Sequence, residues 1–295
     1  MTAVTREDLS FIDAHSVTVH YYRWAAAEPR GVVQIAHGVG EHALRYTYLA
    51  EHLVSRGYTV YADDHRGHGQ TGMEQYHGDT KQLGHLGAGG LRATVQDLRD
   101  LTAIIRTDLP GVPLILLGHS WGSLMAQKIL NDYSADSDGA VLTGTAYRVP
   151  GMMNGGDLNK RHKHLGTTGY EWLSRDVEVH KAFVADPLTF PADILGLFGL
   201  ADGLRLFGRP SRSFEKPLPL LIMIGSDDPL GGEKSVRKLA EAYIRRSELD
   251  DVMVIIFPED RHEIFNELDK DTVNATLTDW LDAHVIAGEV SADAR

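Results

Sequence analysis

Gly118-His119-Ser120-Trp121-Gly122 sets a serine between two glycines, where the apolar run Pro113–Gly118 gives way to a helical pattern over Leu124–Tyr133. At such a strand-to-helix turn a sharp backbone reversal pushes the hydroxyl into solvent, and the flanking glycines permit close backbone packing. The helix starting there aims its positive dipole end at the same place, which favours a developing oxyanion. A serine hydroxyl is a weak nucleophile and needs a base, itself oriented by a third group. Downstream, Ser226-Asp227-Asp228-Pro229 follows the run Leu218–Gly225, and Pro258-Glu259-Asp260-Arg261-His262 follows Val252–Phe257. With 15 histidines in the chain, a histidine alone signals little. His262 stands out because it lies just past an apolar run and comes after the acid in chain order. It would take the serine proton and return it to the leaving group, while the aspartate fixes the imidazole tautomer. Of the two adjacent aspartates we take Asp228 as that acid and expect Asp227 to cap the following helix.

These residues must be positioned by the elements before them. Leu9–Ile12 and Val17–Trp24 read as an opening antiparallel pair. Buried-type runs follow at Val32–His37, Tyr58–Asp63, Pro113–Gly118, Ala140–Gly144, Leu218–Gly225 and Val252–Phe257. Their shortness and their Gly, Asp, His or Pro endings mark strands. Between them, Tyr46, Leu49, Ala50, Leu53 and Val54 keep helical spacing, as do Val236, Leu239, Ala240, Tyr243 and Ile244. Leu91, Val95, Leu98 and Ile105 form a third stripe, and Val273, Leu277, Trp280 and Leu281 a fourth. Strands alternating with helices predict an α/β architecture: an eight-stranded, mostly parallel sheet with helices on both faces, binding its ligand at the carboxyl ends of the strands.

The alternation breaks at 147–213. We expect a core from 1–146 and 214–288, a helical cap inserted over 147–213, and a disordered tail at 289–295. Within the insertion, Met152, Met153, Trp172, Leu197, Phe198 and Leu204 are candidates to line an acyl tunnel, each buried methylene contributing about 0.8 kcal/mol. For any single one, packing the cap onto the core is the plainer role. Glycines at 196, 199, 203 and 208 fit a bendable lid. Arg205 and Arg209 are the only basic residues near that apolar segment, a poor match to anionic lipid, so contact of the cap with lipid would be transient.

Composition removes other classes. The chain has 295 residues, 43% of them apolar, and no cysteine, which excludes a disulfide framework, a thiol nucleophile and a cysteine-ligated metal. A net charge of -12 argues against a nucleic-acid partner. His65 with His68, or His162 with His164, could be imagined as metal ligands, but neither pair stands in an H-E-x-x-H segment, so we expect no metal and no cofactor. Residues Met1–Ser16 lack the pattern of a secretory signal, and no apolar stretch is long enough to span a bilayer, so a soluble, cytoplasmic protein is expected. Nothing indicates the oligomeric state.

The Val32–His37 run ends in His37-Gly38-Val39-Gly40-Glu41-His42, which leaves backbone N–H groups free where an oxyanion hole needs them. That segment, Arg45-Tyr46, Leu49-Ala50, Asp64-His65-Arg66-Gly67-His68-Gly69-Gln70 and the Gly-His-Ser-Trp-Gly turn together resemble the monoacylglycerol lipase and lysophospholipase group of α/β-hydrolases. The resemblance runs from about Val32 to His262, more weakly in the insertion, where Trp172-Leu173-Ser174-Arg175-Asp176 and Asp186-Pro187 are similar to bacterial members. Asp260-Arg261-His262-Glu263-Ile264-Phe265-Asn266-Glu267 also resembles the family's histidine loop. The resemblance implies the α/β-hydrolase fold, Ser120 as nucleophile, Asp228 as acid, His262 as base, and the backbone N–H groups of Val39 and Trp121 as oxyanion donors. Thr71 stands where the family usually has serine, and Trp121 where the animal lipases often have methionine; the second bears on acyl-chain preference. Glu41, His42, Arg66 and His68 we assign to structural duty around the site.

The expected activity is that of a serine carboxylester hydrolase acting on a monoacylglycerol, a lysophospholipid or another small ester with an apolar arm. The rivals on the same fold are an aminopeptidase or amidase and an acyltransferase. The first would want cap carboxylates for a substrate ammonium, and Glu171, Asp176, Glu178 and Asp186 are available. A carboxylate nucleophile, as for epoxides or haloalkanes, is disfavoured by Ser120. A silent binding protein on this fold would be expected to have lost one of the three reactive residues.

Overall fold

Tyr58–Asp63 and its neighbours are apolar without alternation because both of their faces are covered. The computed structural model describes residues 4–286. Eight strands form one sheet: β1 (Arg6–Ile12), β2 (Thr18–Trp24), β3 (Gly31–Ala36), β4 (Tyr58–Asp63), β5 (Leu114–His119), β6 (Gly139–Thr143), β7 (Leu220–Gly225) and β8 (Val252–Phe257). Their order is β1-β2-β4-β3-β5-β6-β7-β8. β1 pairs antiparallel with β2, and β2 antiparallel with β4; all later pairings are parallel. Strands β3 to β7 are buried at every residue, whereas edge strand β1 alternates exposed and partly buried positions.

The eight α-helices among the described residues are α1 (Thr47–Ser55), α2 (Gly69–Gln75), α3 (Gly90–Asp108), α4 (Trp121–Asp132), α5 (Val177–Ala185), α6 (Ile194–Arg205), α7 (Gly232–Ser247) and α8 (Lys270–Leu281). Odd and even strand positions separate into two cores. Ile115, Leu117, Val141, Leu221 and Met223 pack with α1 and α8. Leu116, Ala140, Leu142, Leu220 and Ile222 pack with α3, α4 and α7 on the opposite face. The four helical stripes read from spacing all fall on helices, with Ile244 turned outward and 48% exposed. Helix α2 was not expected; its Thr71 is buried, and the Thr71 hydroxyl accepts the His20 N–H at 2.8 Å, tying the helix to β2.

The stretch between β6 and β7 is less helical than expected. Residues 147–176 run through turns and one short 3-10 segment, Leu158–Arg161, and only α5 and α6 are helices. Glycines at 151 and 169 adopt φ of +79° and +82°, a conformation that stops helix propagation. Gly199 breaks α6 with φ +74° and ψ +171°. The proposed tail, 289–295, lies outside the described residues.

Parallel pairing sets the carboxyl ends of β3, β5, β6, β7 and β8 along one edge. Ala36 pairs with Gly118, His119 with Thr143, and Gly225 with Phe257. The segments beginning at His37, Ser120, Gly144, Ser226 and Pro258 therefore emerge side by side, and the insertion leaves the sheet on that edge.

Candidate active site

Ser120 follows β5 with φ +52° and ψ −121°, a strained conformation for a residue with a side chain. Its N–H donates to Thr143 O at 2.9 Å, and its C=O accepts from the Ser123 N–H at 2.9 Å and the Ser123 hydroxyl at 2.6 Å, so β6 and α4 hold the turn. The glycines are required by crowding. A Cβ at 118 would lie 2.7 Å from Gly122 O, and one at 122 would collide with Ala36 O. Trp121 opens α4, so its N–H has no partner within the helix.

His262 is buried, and its Nδ1 lies 3.0 Å from Asp228 Oδ1. The same Asp228 oxygen accepts the Leu230 N–H at 2.8 Å, which aims the carboxylate. The other face of the imidazole, Nε2, is buried without a hydrogen-bond partner, in the cleft that Ser120 also lines. Burial by itself would push this imidazole down. The Asp228 charge and hydrogen bond, with Glu263 and Glu41, more than offset that and hold it above the ordinary histidine value. Asp227 does not cap a helix: it turns toward the insertion, where its carboxylate meets His162 Nε2 at 2.6 Å and Arg161 at 3.0 Å. The N-cap of α7 is Gly231 instead, because the loop spends its first two aspartates on tertiary contacts.

On the β3 side, the Gly38 N–H donates to Glu41 Oε1 at 2.6 Å, and the Tyr46 hydroxyl to the same oxygen at 2.8 Å. That commits Gly38 and leaves Val39 as the cleft-lining residue whose N–H follows it in the loop. Arg45 donates to Glu263 through both terminal nitrogens, at 2.7 and 2.8 Å, and to Glu41 at 3.1 Å. One guanidinium thus joins the loop after β3 to the residue after His262. Burial holds Glu41 above the usual carboxylate range, while Glu263 is held below it against its burial by Arg45.

Arg66 is fully buried against Asp97 at 2.7 Å and against Asp13. His68 is buried and pushed down to about 3 by desolvation, its Nδ1 3.0 Å from Arg66 O. His42 reaches Asp186 of the insertion at 2.8 Å. These contacts are structural.

The cleft over Ser120 and His262 has an apolar wall from Tyr170, Trp172, Leu173, Phe183, Phe190 and Ala192. Of the tunnel candidates, only Trp172 lies in it, its ring 4.8 Å from that of His262. Met153 and Phe198 pack instead against the core cluster that includes Trp121, and Phe198 meets the Trp121 ring at 4.8 Å. Leu197 sits against Gly84, Met152 is half-buried outside the cleft lining, and Leu204 is exposed. Tyr170 and Phe190 were missed because they lie in aperiodic stretches of the insertion, where no spacing separates an inward ring from an outward one, and Phe183 because α5 is a short helix whose sequence does not say that its buried face meets the cleft. Phe190 is brought in by its backbone: its N–H donates to Gly40 O at 3.0 Å, and a Cβ at Gly40 would collide with Phe190 O.

Oxygens of Asp260, Glu267 and Asp269 lie within 4.8 Å of one another, a spacing that could hold a cation. The Arg175 guanidinium reaches all three. Among the described residues no helix is long and apolar enough to cross a membrane.

A strained serine on the turn after β5, with an aspartate past β7 and a histidine past β8 on the same sheet edge, defines an α/β-hydrolase. A sequence profile for the family described as serine aminopeptidase S33 matches residues 27–269, and the chain belongs to this family. It is 32% identical to the monoacylglycerol lipase of Mycolicibacterium smegmatis, over 97% of this chain and 100% of that one. It is 28% identical to the human monoglyceride lipase, over 72% of this chain and 70% of that one. A thermostable carboxyl esterase from Bacillus coagulans has the same fold, with a TM-score of 0.80 at 23% identity, over 96% of this chain and 100% of the other.

Proposed function

We propose that this protein is a serine carboxylester hydrolase of the monoacylglycerol lipase type, working through Ser120, His262 and Asp228. The observation that carries this is the His262 imidazole: one nitrogen is held by Asp228, and the other is buried and unpartnered in the cleft that Ser120 lines. In this reading Ser120 Oγ attacks the ester carbonyl carbon while His262 Nε2 takes its proton. The N–H groups of Val39 and Trp121 receive the oxyanion. Collapse breaks the ester C–O bond, His262 protonates the departing alcohol, and an acyl group remains on Ser120. Water, deprotonated by His262, then releases the acid. The aromatic wall shelters an acyl chain, and residues 147–213 serve as the cap that carries it.

The aminopeptidase rival gains nothing from the carboxylates near the cleft. Both oxygens of Glu41 and both of Glu263 already accept hydrogen bonds from Gly38, Tyr46, Arg45 or Asn266. Glu171 is bound by Thr168 and Asn159, Asp186 by His42, Asp176 by the Glu178 N–H, and Glu178 by Lys181. Of these carboxylates only Glu41 and Glu263 line the cleft, and Arg45 already balances both. The same triad could pass the acyl group to an alcohol, and the rate in water with and without added glycerol separates the two. Rates on p-nitrophenyl esters and monoacylglycerols of graded chain length, beside an alanine amide, test the reading. Ester turnover that falls to background in Ser120→Ala is expected, and amide cleavage without ester cleavage would replace the ester reading.

A further inference from the structure

The loop that carries His262 is held from the insertion as well as from the sheet. From Glu171 to Arg175 the chain runs beside it. Trp172 O and Leu173 O accept the N–H groups of His262 at 3.4 Å and Glu263 at 2.7 Å. In return Arg261 donates to Glu171 O at 2.6 Å and Ser174 O at 2.8 Å. Arg175 closes this strap. Its guanidinium donates to Asp260, to Glu267 at 3.0 Å and to Asp269 at 2.8 Å, and Glu259 lies 3.6 Å away.

These carboxylates sit on backbone that reaches both the base and its acid. Glu267 Oε1 accepts the N–H groups of Arg261 at 2.9 Å and Arg175 at 3.0 Å. The C=O of Asp260 accepts the Asp227 N–H at 2.9 Å, one residue before Asp228. Asp260 and Glu267 are fully buried, and Asp260 Oδ2 has no partner. Burial, with Glu267 and Asp269 beside it, pushes Asp260 up to about 7. Without the guanidinium, the buried carboxylates of Asp260 and Glu267 and the partly exposed one of Asp269, all within 4.8 Å, would repel one another. The turn could relax only by protonation or by moving apart, and His262 would move with it.

We propose that Arg175 is a positioning residue for the hydrolytic reaction: carried by the insertion, it gathers Asp260, Glu267 and Asp269 and thereby fixes His262 between Asp228 and Ser120. This rests on the reactive roles assigned to those three residues. It also makes the insertion part of the base's mounting, so that the cleft is assembled only with the 171–175 strap in place.

Arg175→Met, Arg175→Lys, Asp260→Asn and the double variant Arg175→Met/Asp260→Asn separate this from mere support of the cleft wall. Two quantities are read: kcat and KM on a short p-nitrophenyl ester, and the rate at which a fluorophosphonate labels Ser120. Labelling forms the Oγ–P bond, expels fluoride and passes the serine proton to His262, so it reports on the base without an acyl chain. Arg175→Met is expected to lose about 10- to 100-fold in kcat and in labelling rate, with KM little changed. Arg175→Lys, a point charge that cannot span three carboxylates, falls between. Loss of Arg175 raises Asp260 further, so the variants are compared in alkaline buffer, where that carboxyl is ionised. There Asp260→Asn in the Arg175→Met background removes one of the repelling charges and restores about threefold or more, a coupling that a double-mutant cycle isolates. Wild-type labelling in Arg175→Met, or a loss carried by KM alone, overturns the proposal. So does a loss that Asp260→Asn leaves unrelieved in protein that melts like wild type. If Arg175→Met does not fold, Arg175→Lys decides by the same split between kcat and KM. Wild-type protein that is not labelled at Ser120 would instead overturn the hydrolase reading itself.

Discussion

His262 stands under opposing influences. Burial favours its neutral form, and the carboxylates of Asp228, Glu263 and Glu41 favour its charged form and prevail. In the proposed reaction His262 acts as general base, which needs neutral imidazole, so kcat/KM is expected to climb with pH through a midpoint above the ordinary histidine value of about 6.5. Asp228→Asn removes the nearest charge and the tautomer lock. A pH–rate series is expected to show the midpoint moving down while kcat falls on the order of 10⁴-fold. The positions of Ser120, Asp228 and His262 were legible because each follows a strand end, and strand ends of a parallel sheet share an edge. Asp227 was not: its tie to His162 and Arg161 joins two loops, and no local pattern encodes that. The aromatic wall was illegible for the same reason, since Phe190 is brought in by its backbone bond to Gly40 and Tyr170 packs on the Phe183 ring, contacts that no local pattern encodes.

At the scale of elements, two features mount the site. The turn between β5 and α4 lies so close to β3 that residue 122 must lack a side chain. Alanine there would gain about 1 kcal/mol in helix propensity, yet its Cβ would meet the backbone oxygen of Ala36, which cannot swing aside. Overpacking of this kind costs about 1–3 kcal/mol, so Gly122→Ala should come out destabilised in urea unfolding. Arg45 is the second mount. It bridges the loop after β3 and the residue after His262, and both of its carboxylate partners are buried. Arg45→Met leaves two buried negative charges facing each other, a loss of about 3–5 kcal/mol; a Tm close to that of wild type would contradict this account of the bridge. The strands and the main helices were legible from period and length. Helix α2 was hidden by its glycines and polar residues, and α6 is held against α3 partly by Asp202, which accepts the Leu91 N–H at 3.0 Å.

Across the whole molecule, the sheet edge carries Ser120, Asp228 and His262, and the insertion supplies the apolar wall of the cleft. The insertion touches three loops on the carboxyl edge of the sheet: through Phe190 and Asp186 the loop after β3, through His162 the Asp228 loop, and through the 171–175 strap the His262 loop. Its outer side is apolar at α6, where Leu195, Leu200 and Leu204 are 60%, 69% and 59% exposed. If this face contacts dispersed substrate, Leu200→Asp lowers turnover of monoacylglycerol in vesicles and leaves a soluble butyrate ester unaffected. Equal rates on both would remove that role from α6. In the proposed reaction Ser120 carries the acyl group. Mass spectrometry of protein quenched during turnover of a p-nitrophenyl ester tests it most directly. An acyl adduct on the peptide bearing Ser120, absent in Ser120→Ala together with the turnover, is predicted. Ester turnover that persists in Ser120→Ala at the wild-type rate, with no adduct in either protein, would contradict it.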